Sequence, residues 1–302
     1  LGLKAHVVNA VLRYRLLPEA AVATINHAGS FEGRAMYLFG ALSRKGWYYY
    51  FLVTILAKTP LLMLAGFAVA GGLAVRRIRR LRRSRTGRWQ LERVILLGLP
   101  FALLFALYCW SRPNIGHRQV LFVYFPLCVL LGTAASRWLL QGGGAGRLIT
   151  GGLVAAQLLT FALAWPHYET WFNELIRTPY RGIRILRDSN ADWGTDLPLA
   201  MKTLRELGID KVNYAAFGLN RPESYGLTDY QWILPRYPFA LYMPEGGPPD
   251  PLLPSLVSVH TLPDVRSMYP AFYSRPPDLL LNSFVYFRPL AAEQITMPAT
   301  PR

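Results

Sequence analysis

Four apolar runs constrain this chain more than any other feature of its sequence. A helix needs about 20 predominantly apolar residues to cross the hydrocarbon core of a bilayer. Runs that reach or approach this length cover residues 51–75, 94–110, 120–140 and 148–165. We therefore predict an α-helical polytopic membrane protein, with about four transmembrane helices in a transmembrane domain over 51–165.

Positive charge is concentrated between the first two runs. The chain has a formal net charge of +16, and residues 76–88 read RRIRRLRRSRTGR. Cytoplasmic loops of membrane proteins carry an excess of Lys and Arg, for which anionic lipid headgroups supply counter-ions. We therefore place residues 76–93 in the cytoplasm with membrane lipids as partners, and we expect no nucleic-acid binding.

This placement fixes the orientation of the other segments by alternation across the membrane. Residues 1–50, the loop 111–118 and the tail 166–302 then lie outside the cytoplasm. Trp and Tyr favour the interface between membrane and water. Aromatic residues cluster at 47–51, 108–110 and 165–168. These are the ends of the runs that the orientation places outside, so we predict a multi-pass protein with an extracytoplasmic C-terminal domain.

The first 50 residues have a less regular pattern. The chain begins at Leu1 without an initiator methionine or a signal peptide, so we expect it to be the C-terminal part of a longer protein. Pro18 interrupts one short helical pattern. Residues 21–28 and 35–42 have the character of short helices on a membrane surface. We predict an extracytoplasmic loop with short surface helices over 1–50.

The tail, residues 166–302, is predicted to form a small extracytoplasmic α/β domain. Apolar residues recur at helical spacing over 197–207, and Gly208 ends that helix. Apolar segments between turns rich in Pro and Gly predict strands. These segments are 211–217, 239–243, 256–260 and 283–287. The pattern leaves the order of the strands open.

Lys58 lies inside the first apolar run, roughly 10 Å from its outer boundary at ~1.5 Å per residue. A lysine can extend its ammonium group to the headgroup level from that depth. Alternatively, Lys58 faces the helix bundle beside Pro60 and pairs with an anionic group such as a lipid phosphate. The sequence leaves both interpretations open.

The loop between the second and third runs gathers polar side chains at the predicted headgroup level. They are Arg112, Asn114, His117 and Arg118. Arginine binds phosphate through a fork of two N–H groups, and histidine adds a further donor. Together with Lys58, these residues are candidates for binding a phosphate or pyrophosphate ester. Anchoring of the loop at the membrane interface is the alternative.

An acidic turn precedes the predicted helix of the tail. Asp188, Asn190 and Asp192 alternate as at the start of a calcium-binding loop. Trp193 stands where such a loop needs glycine, and Leu199 where it needs a bidentate glutamate. We therefore predict no metal site in this turn and no divalent metal as cofactor.

The same turn has two other interpretations. Thr195 or Asp196 can cap the following helix. Alternatively, Asp188 and Asp192 bind sugar hydroxyls, and Trp193 offers a face on which a sugar stacks. The sequence does not decide between capping and sugar binding.

His167 and Glu174 follow the fourth run and are further candidates for contact with an acceptor or a sugar. The alternative is that the aromatic residues around them pack the tail onto the membrane. Cys109 and Cys128 lie within apolar runs and are interpreted as small hydrophobic residues. No Ser/His/Asp or Cys/His set is evident, so the catalytic residues stay unknown.

Several short segments occur in an order that resembles a known family. They are LPE at 17–19, KGWYYYF at 45–51 with KTP at 58–60, NIGHR at 114–118, PHY at 166–168 with FNE at 172–174, and DSN at 188–190 with DWGTD at 192–196. Together they resemble the C-terminal half of bacterial family 39 membrane glycosyltransferases. This protein O-mannosyltransferase-like group has the GT-C fold and includes relatives of the aminoarabinose transferase. Thr195 stands where related sequences often have glutamine.

The resemblance implies a function and a location. Such enzymes transfer a sugar from a polyprenyl-phosphate carrier to an acceptor on the extracytoplasmic side of the bacterial inner membrane. It therefore implies a polyprenyl-phosphate-linked sugar as donor, with no certain cofactor. By the same resemblance, Lys58, Arg112, His117 and Arg118 are expected to contact the carrier phosphate. The family's catalytic carboxylate lies in a loop near the N-terminus, which we expect upstream of this sequence.

Two other functions compete with the glycosyltransferase. A non-enzymatic membrane-anchored protein would use its tail to bind a glycan or a partner. A transporter would need repeated broken helices and paired charges within the membrane, for which Lys58 is the single candidate in the sequence. The sequence leaves the acceptor and the identity of the sugar open.

Overall fold

The computed structural model describes residues 35–81, 85–110, 114–217, 221–235 and 246–290. Some sequence-based predictions lie outside these ranges, namely the role of Arg112, the interruption at Pro18 with the LPE segment at 17–19, the short helix at 21–28 and the strand at 239–243. Everything that follows concerns the described residues.

The first part of the described chain is helical. Its helices are α1 (Tyr50–Lys58), α2 (Leu61–Leu81), α3 (Arg85–Trp110), α4 (Tyr124–Gln141) and α5 (Gly143–Ala164). Within the described ranges, three helical segments are long and apolar enough to cross a membrane. They are Leu61–Arg80, His117–Gln141 and Gly143–Ala164. The predicted span at 94–110 falls in α3, whose apolar part, Gly98–Trp110, is shorter. The sequence predicted about four spans, and length and composition identify three.

These helices expose their apolar side chains, as helices in contact with lipid do. In each membrane-length segment only 6% of the most apolar window is buried inside the protein. Helix α4 packs against both α2 and α5. A Cβ atom added at Gly66 of α2 would lie 3.1 Å from Leu131 Cδ1 of α4. A glycine at this position therefore lets the two helices approach closely, as small residues do between membrane helices.

The first apolar run, predicted as one helix over 51–75, is two helices. Helix α1 ends at Lys58 and α2 begins at Leu61, with Thr59 and Pro60 between them. Proline has no N–H group and disfavours helical backbone in the preceding residue. Thr59 accordingly has an extended backbone, with ψ 135°. The break places the end of α1 beside the C-terminal domain.

The prediction of a short helix over 35–42 is wrong. Strands β1 (Met36–Leu38) and β2 (Ala41–Ser43) form an antiparallel hairpin there. Its two turn residues, Phe39 and Gly40, both have positive φ angles, of 48° and 86°. Two-residue hairpins favour turns of this kind because their twist matches that of the strands. The hairpin turn outweighs the helical pattern of the surrounding residues.

The C-terminal domain is an α/β domain built on a five-stranded sheet. Its strands are β3 (Lys211–Ala215), β4 (Asp229–Trp232), β5 (Ser255–Ser258), β6 (Leu279–Leu281) and β7 (Phe284–Phe287), in the order β4-β3-β5-β7-β6. Strand β3 pairs in parallel with β4 and β5, whereas β7 pairs antiparallel with β5 and β6. The predicted strands at 211–217, 256–260 and 283–287 correspond to β3, β5 and β7. The sequence pattern missed β4 and β6.

The same domain contains short helices. They are α6 (Pro179–Gly182), α7 (Leu197–Glu206), α8 (Leu262–Met268) and α9 (Pro270–Tyr273). Helix α7, predicted over 197–207, buries Leu197, Ala200, Met201 and Leu204. These residues lie three or four positions apart, on one helical face. They join the core formed by the central strands, so α7 is fixed to the sheet.

Candidate functional site

A cleft of about 560 Å³ lies between the apolar helices and the C-terminal domain. Four segments form it: the end of α1, the 3-10 helix His117–Val123, the chain after α5, and the turn before α7. Its lining residues are Lys58, His117, Arg118, Leu121, Tyr168, Glu169, Trp171, Ser189, Asn190, Trp193 and Thr195. We call this the junction cleft. Four candidates, Lys58, His117, Arg118 and Trp193, meet in it.

The helix break at Pro60 is held by the chain that follows α5. Pro60 cannot donate a backbone hydrogen bond to the carbonyl group of Leu56. The side-chain amide of Asn173 donates to that oxygen at 2.5 Å, and the backbone N–H of Asn173 donates to the carbonyl group of Ala57 at 3.0 Å. One residue of the C-terminal segment therefore satisfies two carbonyl groups at the end of α1.

Glu174 acts at the other side of the same break. Its Oε2 atom accepts a hydrogen bond of 2.9 Å from the backbone N–H of Leu61, the first residue of α2. A carboxylate at a helix N-terminus satisfies a free N–H group and interacts favourably with the helix dipole. Glu174, predicted as a sugar or acceptor contact, is thus a helix cap and is not among the residues that line the junction cleft.

Lys58 is held in the junction cleft by backbone oxygens. Its ammonium nitrogen donates to the carbonyl groups of Glu169, at 3.1 Å, and Trp171, at 2.7 Å. It also lies 4.0 Å from the centre of the Phe172 ring, a cation–π distance. An ammonium group has three N–H donors, of which these carbonyl groups take two. Among the described residues, the Lys58 nitrogen is thus positioned by backbone oxygens and has no carboxylate within hydrogen-bond distance.

His117 is fixed by hydrogen bonds from three directions. Its backbone N–H donates to Asn190 Oδ1 at 2.9 Å. The ring Nδ1 lies 3.3 Å from Thr54 Oγ1, and Nε2 lies 3.0 Å from the Tyr124 hydroxyl oxygen. Both ring nitrogens therefore have partners within the protein, and His117 forms a positioned wall of the cleft rather than a free donor.

The loop before His117 approaches the acidic turn very closely. A Cβ atom added at Gly116 would lie 2.2 Å from Ser189 Oγ, so this position needs a residue without a side chain. Ser189 Oγ in turn donates to the carbonyl group of Ile115 at 3.2 Å. The contact joins two of the segments that form the junction cleft.

Arg118 and Trp193 contact each other in the cleft. The guanidinium carbon of Arg118 lies 5.0 Å from the centre of the Trp193 ring. Arg118 is exposed, whereas Trp193 is half-buried and also contacts Phe217 at 5.6 Å between ring centres. The cleft therefore has an exposed cation that lies over a fixed aromatic surface.

Asp192 is not among the residues that line the cleft, although it precedes Trp193, which is. Its carboxylate is fully buried and accepts hydrogen bonds from the Gly194 N–H at 2.7 Å, from Ser283 Oγ at 3.0 Å and from Ser258 Oγ. Burial raises the pKa of Asp192 to about 7, against these three hydrogen bonds, which lower it. Asp192, predicted as a sugar contact, instead joins the turn that carries Trp193 to the sheet.

Asp188 also belongs to the scaffold of the turn. Its φ angle of 62° is in the left-handed region, which Asp tolerates because its side chain bonds to nearby backbone groups. Asp188 Oδ1 accepts from the Ser189 N–H at 2.8 Å, and the Asp188 N–H donates to His260 Nδ1 at 2.8 Å. Asp188 does not line the junction cleft.

His167 pairs with Asp196 and is not among the residues that line the cleft. His167 Nδ1 contacts Asp196 Oδ1, and Asp196 Oδ2 accepts from Asn282 Nδ2 at 2.6 Å and from the Ser283 N–H at 3.2 Å. Asp196 is the residue before α7, yet its side chain makes no capping hydrogen bond to that helix. The capping interpretation of Asp196 is therefore wrong, because its carboxylate joins the end of α5 to the β6–β7 turn.

Asn114 is buried away from the cleft. Its Oδ1 accepts a hydrogen bond of 2.6 Å from the backbone N–H of Trp47, and its own N–H contacts Met36 Sδ at 3.0 Å. Asn114 therefore ties the loop before the 3-10 helix to the hairpin and to the start of α1. The structure places it as a support for the loop that carries His117 and Arg118.

Several cleft residues were missed by the sequence analysis. Glu169 is the acidic residue among those that line the cleft. Burial raises its pKa, against a hydrogen bond with Thr195 and the charges of Lys58 and Arg118, which lower it. Tyr168 and Trp171 flank this region with aromatic rings. The signal was the segment YETW at 168–171, an acid between aromatic residues directly after an apolar run.

The described part of the chain holds no group of three His, Cys, Asp or Glu side chains that could bind a metal ion. No protein-family model, curated protein or solved structure matches this chain. The chemistry of the junction cleft is therefore the basis for assigning a function.

Proposed function

We propose that this chain is part of a membrane glycosyltransferase that moves a sugar from a polyprenyl-phosphate carrier to an acceptor. One observation carries the proposal. Lys58 and Arg118, from segments far apart in the sequence, line one cleft between apolar helices and an α/β domain. A lipid with an anionic headgroup needs cations at the end of an apolar surface, and this cleft provides them.

The cleft also has the features that a sugar requires. Sugars combine apolar ring faces with hydroxyl groups, so aromatic surfaces beside polar side chains suit them. Trp193, Trp171 and Tyr168 supply aromatic rings, and Glu169 and Thr195 supply polar groups. Tyr168 and Trp193 also lie in the ordered segments that resemble family 39 enzymes, which supports the same assignment.

In the proposed reaction, a hydroxyl oxygen of the acceptor forms a bond to the anomeric carbon of the donor sugar. The bond between that carbon and the phosphate oxygen breaks, and the carrier phosphate leaves with the electron pair. Lys58 and Arg118 offset the negative charge on the phosphate as it leaves. The acceptor's proton goes to a general base, which the family resemblance places in a loop near the N-terminus of such enzymes.

The proposal includes a location and an orientation. The basic segment at 76–93 lies on the cytoplasmic side of a bacterial inner membrane, by the excess of arginine there. The junction cleft and the C-terminal domain then lie on the extracytoplasmic side, where a flipped carrier lipid presents its sugar.

The test is transfer of labelled sugar from polyprenyl-phosphate donors by the protein expressed at the full length of its gene. We expect Arg118→Ala to lower the rate about tenfold or more, because a phosphate contact is lost. Lys58→Ala is expected to lower the rate to a similar extent. Near-UV circular dichroism of this variant checks that loss of the carbonyl contacts of Lys58 does not unfold the protein. Glu174→Gln is the control, since it lies outside the cleft and keeps a carbonyl oxygen for the cap.

Full activity in both the Arg118 and Lys58 variants would contradict the assignment of the cleft. Glycan binding without any transfer by the wild-type protein would instead favour the alternative, a membrane-anchored binding protein.

A further inference from the structure

The indole of Trp193 is the best-positioned aromatic surface in the junction cleft. The buried carboxylate of Asp192 fixes the turn on which Trp193 stands, through the Gly194 N–H and two serine hydroxyl groups. Phe217 contacts the indole at an interplanar angle of 57°. The ring is therefore held by its own neighbours before any ligand enters.

Arg118 covers this ring. Its guanidinium group lies over the indole at 5.0 Å, within the range of a cation–π contact. The side chain of Arg118 is exposed, and cation–π contacts at exposed sites are weak. A phosphate offers the guanidinium group two charge-assisted hydrogen bonds, which are stronger. An arriving phosphate thus competes well for Arg118.

We propose that Trp193 is the sugar-stacking surface of the junction cleft, and that Arg118 covers it until a carrier phosphate draws the guanidinium group away. This inference rests on the proposed function and adds the sugar subsite to it. The two residues act in sequence. Phosphate binding moves Arg118 toward the carrier, and this movement uncovers the indole for the sugar on the same carrier.

The arrangement couples the two parts of the donor. A free sugar meets a covered indole and binds poorly, whereas a sugar that arrives with its phosphate meets an open one. Glu169 interacts electrostatically with Lys58 and Arg118, so its carboxylate competes with an arriving anion for these cations. An anion without a sugar gains no stacking contact to offset this competition. The specificity is for the complete glycosyl phosphate lipid.

The test compares carrier lipids with and without a sugar on the phosphate. Binding of undecaprenyl phosphate and of undecaprenyl-phosphate glucose and mannose is measured for the full-length protein in lipid nanodiscs. We expect Trp193→Ala to weaken binding of the glycosylated lipids about tenfold, as loss of one stacking contact does. Binding of undecaprenyl phosphate is expected to stay within about twofold or to become tighter, since Arg118 no longer contacts the indole.

Two further variants keep the test decisive. Trp193→Phe retains an aromatic face and is expected to bind the glycosylated lipids to within about threefold of wild type. Arg118→Ala is expected to weaken binding of all the lipids. Equal losses for glycosylated and bare lipids in Trp193→Ala, or no loss for either, would overturn the assignment of Trp193 while leaving the proposed function intact. A wild-type protein that binds none of the lipids would overturn the proposed function itself.

Discussion

Asn173 donates its side-chain amide to the carbonyl oxygen of Leu56, at 2.5 Å, where Pro60 leaves a helical hydrogen bond unmade. The bond joins residues 117 positions apart in the sequence. Broken helices near a membrane need such partners, because unsatisfied backbone groups in an apolar environment are costly. The same segment supplies the carbonyl groups that hold Lys58, so the helix break and the cleft are one structural unit.

Removing the Asn173 amide should destabilise this unit. Asn173→Ala is expected to lower the free energy of unfolding by about 1–2 kcal/mol, because it leaves the carbonyl group of Leu56 without a donor. Chemical unfolding of the protein in detergent measures the loss. Hydrogen exchange over residues 50–61 should rise in the same variant.

Pro60→Ala provides the matched control for that prediction. It restores an N–H group that can reach Leu56 in a continuous helix, so Asn173→Ala should cost about 1 kcal/mol less in this background than in the wild type. An equal cost in the two backgrounds would show that the amide acts elsewhere.

The contact between Gly116 and Ser189 makes a second prediction. Gly116→Ala is expected to lower the free energy of unfolding by about 1 kcal/mol or more, because its Cβ atom displaces Ser189 Oγ from the carbonyl group of Ile115. Ser189→Ala in the same chain should recover part of the loss, since the nearest remaining side-chain atom, Ser189 Cβ, is 3.5 Å away. A double variant as unstable as the sum of the single variants would contradict this account.

Asp192 should be essential for the fold rather than for ligand contact. Asp192→Ala removes the carboxylate that accepts three buried hydrogen bonds and is expected to cost about 2–4 kcal/mol in unfolding experiments. Asp192→Asn keeps one oxygen acceptor and should cost less. If the alanine variant folds as stably as wild type and loses only ligand affinity, the structural role is wrong.

We expect Glu169 to make the proposed affinity for an anionic lipid dependent on pH. Its pKa is raised by burial, so as the pH falls its carboxylate takes up a proton earlier than an ordinary glutamate. Protonation removes a negative charge that competes for Lys58 and Arg118. Binding of undecaprenyl-phosphate glucose, whose phosphodiester keeps its charge, should therefore tighten as the pH is lowered from 7.5 to 5.

Glu169→Gln isolates this effect. We expect it to bind the same lipid about two- to fivefold more tightly than wild type at pH 7.5, with a flatter pH dependence. Isothermal titration in nanodiscs is the measurement. A pH dependence as steep in the variant as in the wild type would assign the effect to another group.

The sequence was informative where local periodicity or composition decides the structure. Helix α7 could be predicted because its buried residues recur at helical spacing, and the apolar helices because lipid contact requires long apolar runs. The hairpin at 36–43 was missed. Its turn needs positive φ angles at Phe39 and Gly40, and the hydrophobic pattern of the sequence does not indicate these backbone conformations.

The sequence also predicted only part of the candidate site, because residue type does not show which side chains meet in the folded chain. Residue type alone pointed to Lys58, Arg118 and Trp193, which meet in the cleft. It also pointed to Glu174 and Asp192, whose carboxylates bind backbone and serine groups far away in the sequence. Only the folded chain shows which acids are already satisfied. Glu169 was overlooked because the cations that share the cleft with it, Lys58 and Arg118, come from other segments.

The most direct test of the central claim is photocrosslinking of the protein in nanodiscs with a polyprenyl phosphate that carries a diazirine next to its phosphate. The account predicts labelled peptides that contain residues 117–121 or 168–171, and labelling that falls with excess undecaprenyl phosphate and in Arg118→Ala. Labelling confined to other segments, or unchanged by both treatments, would contradict the claim that the junction cleft binds a polyprenyl phosphate.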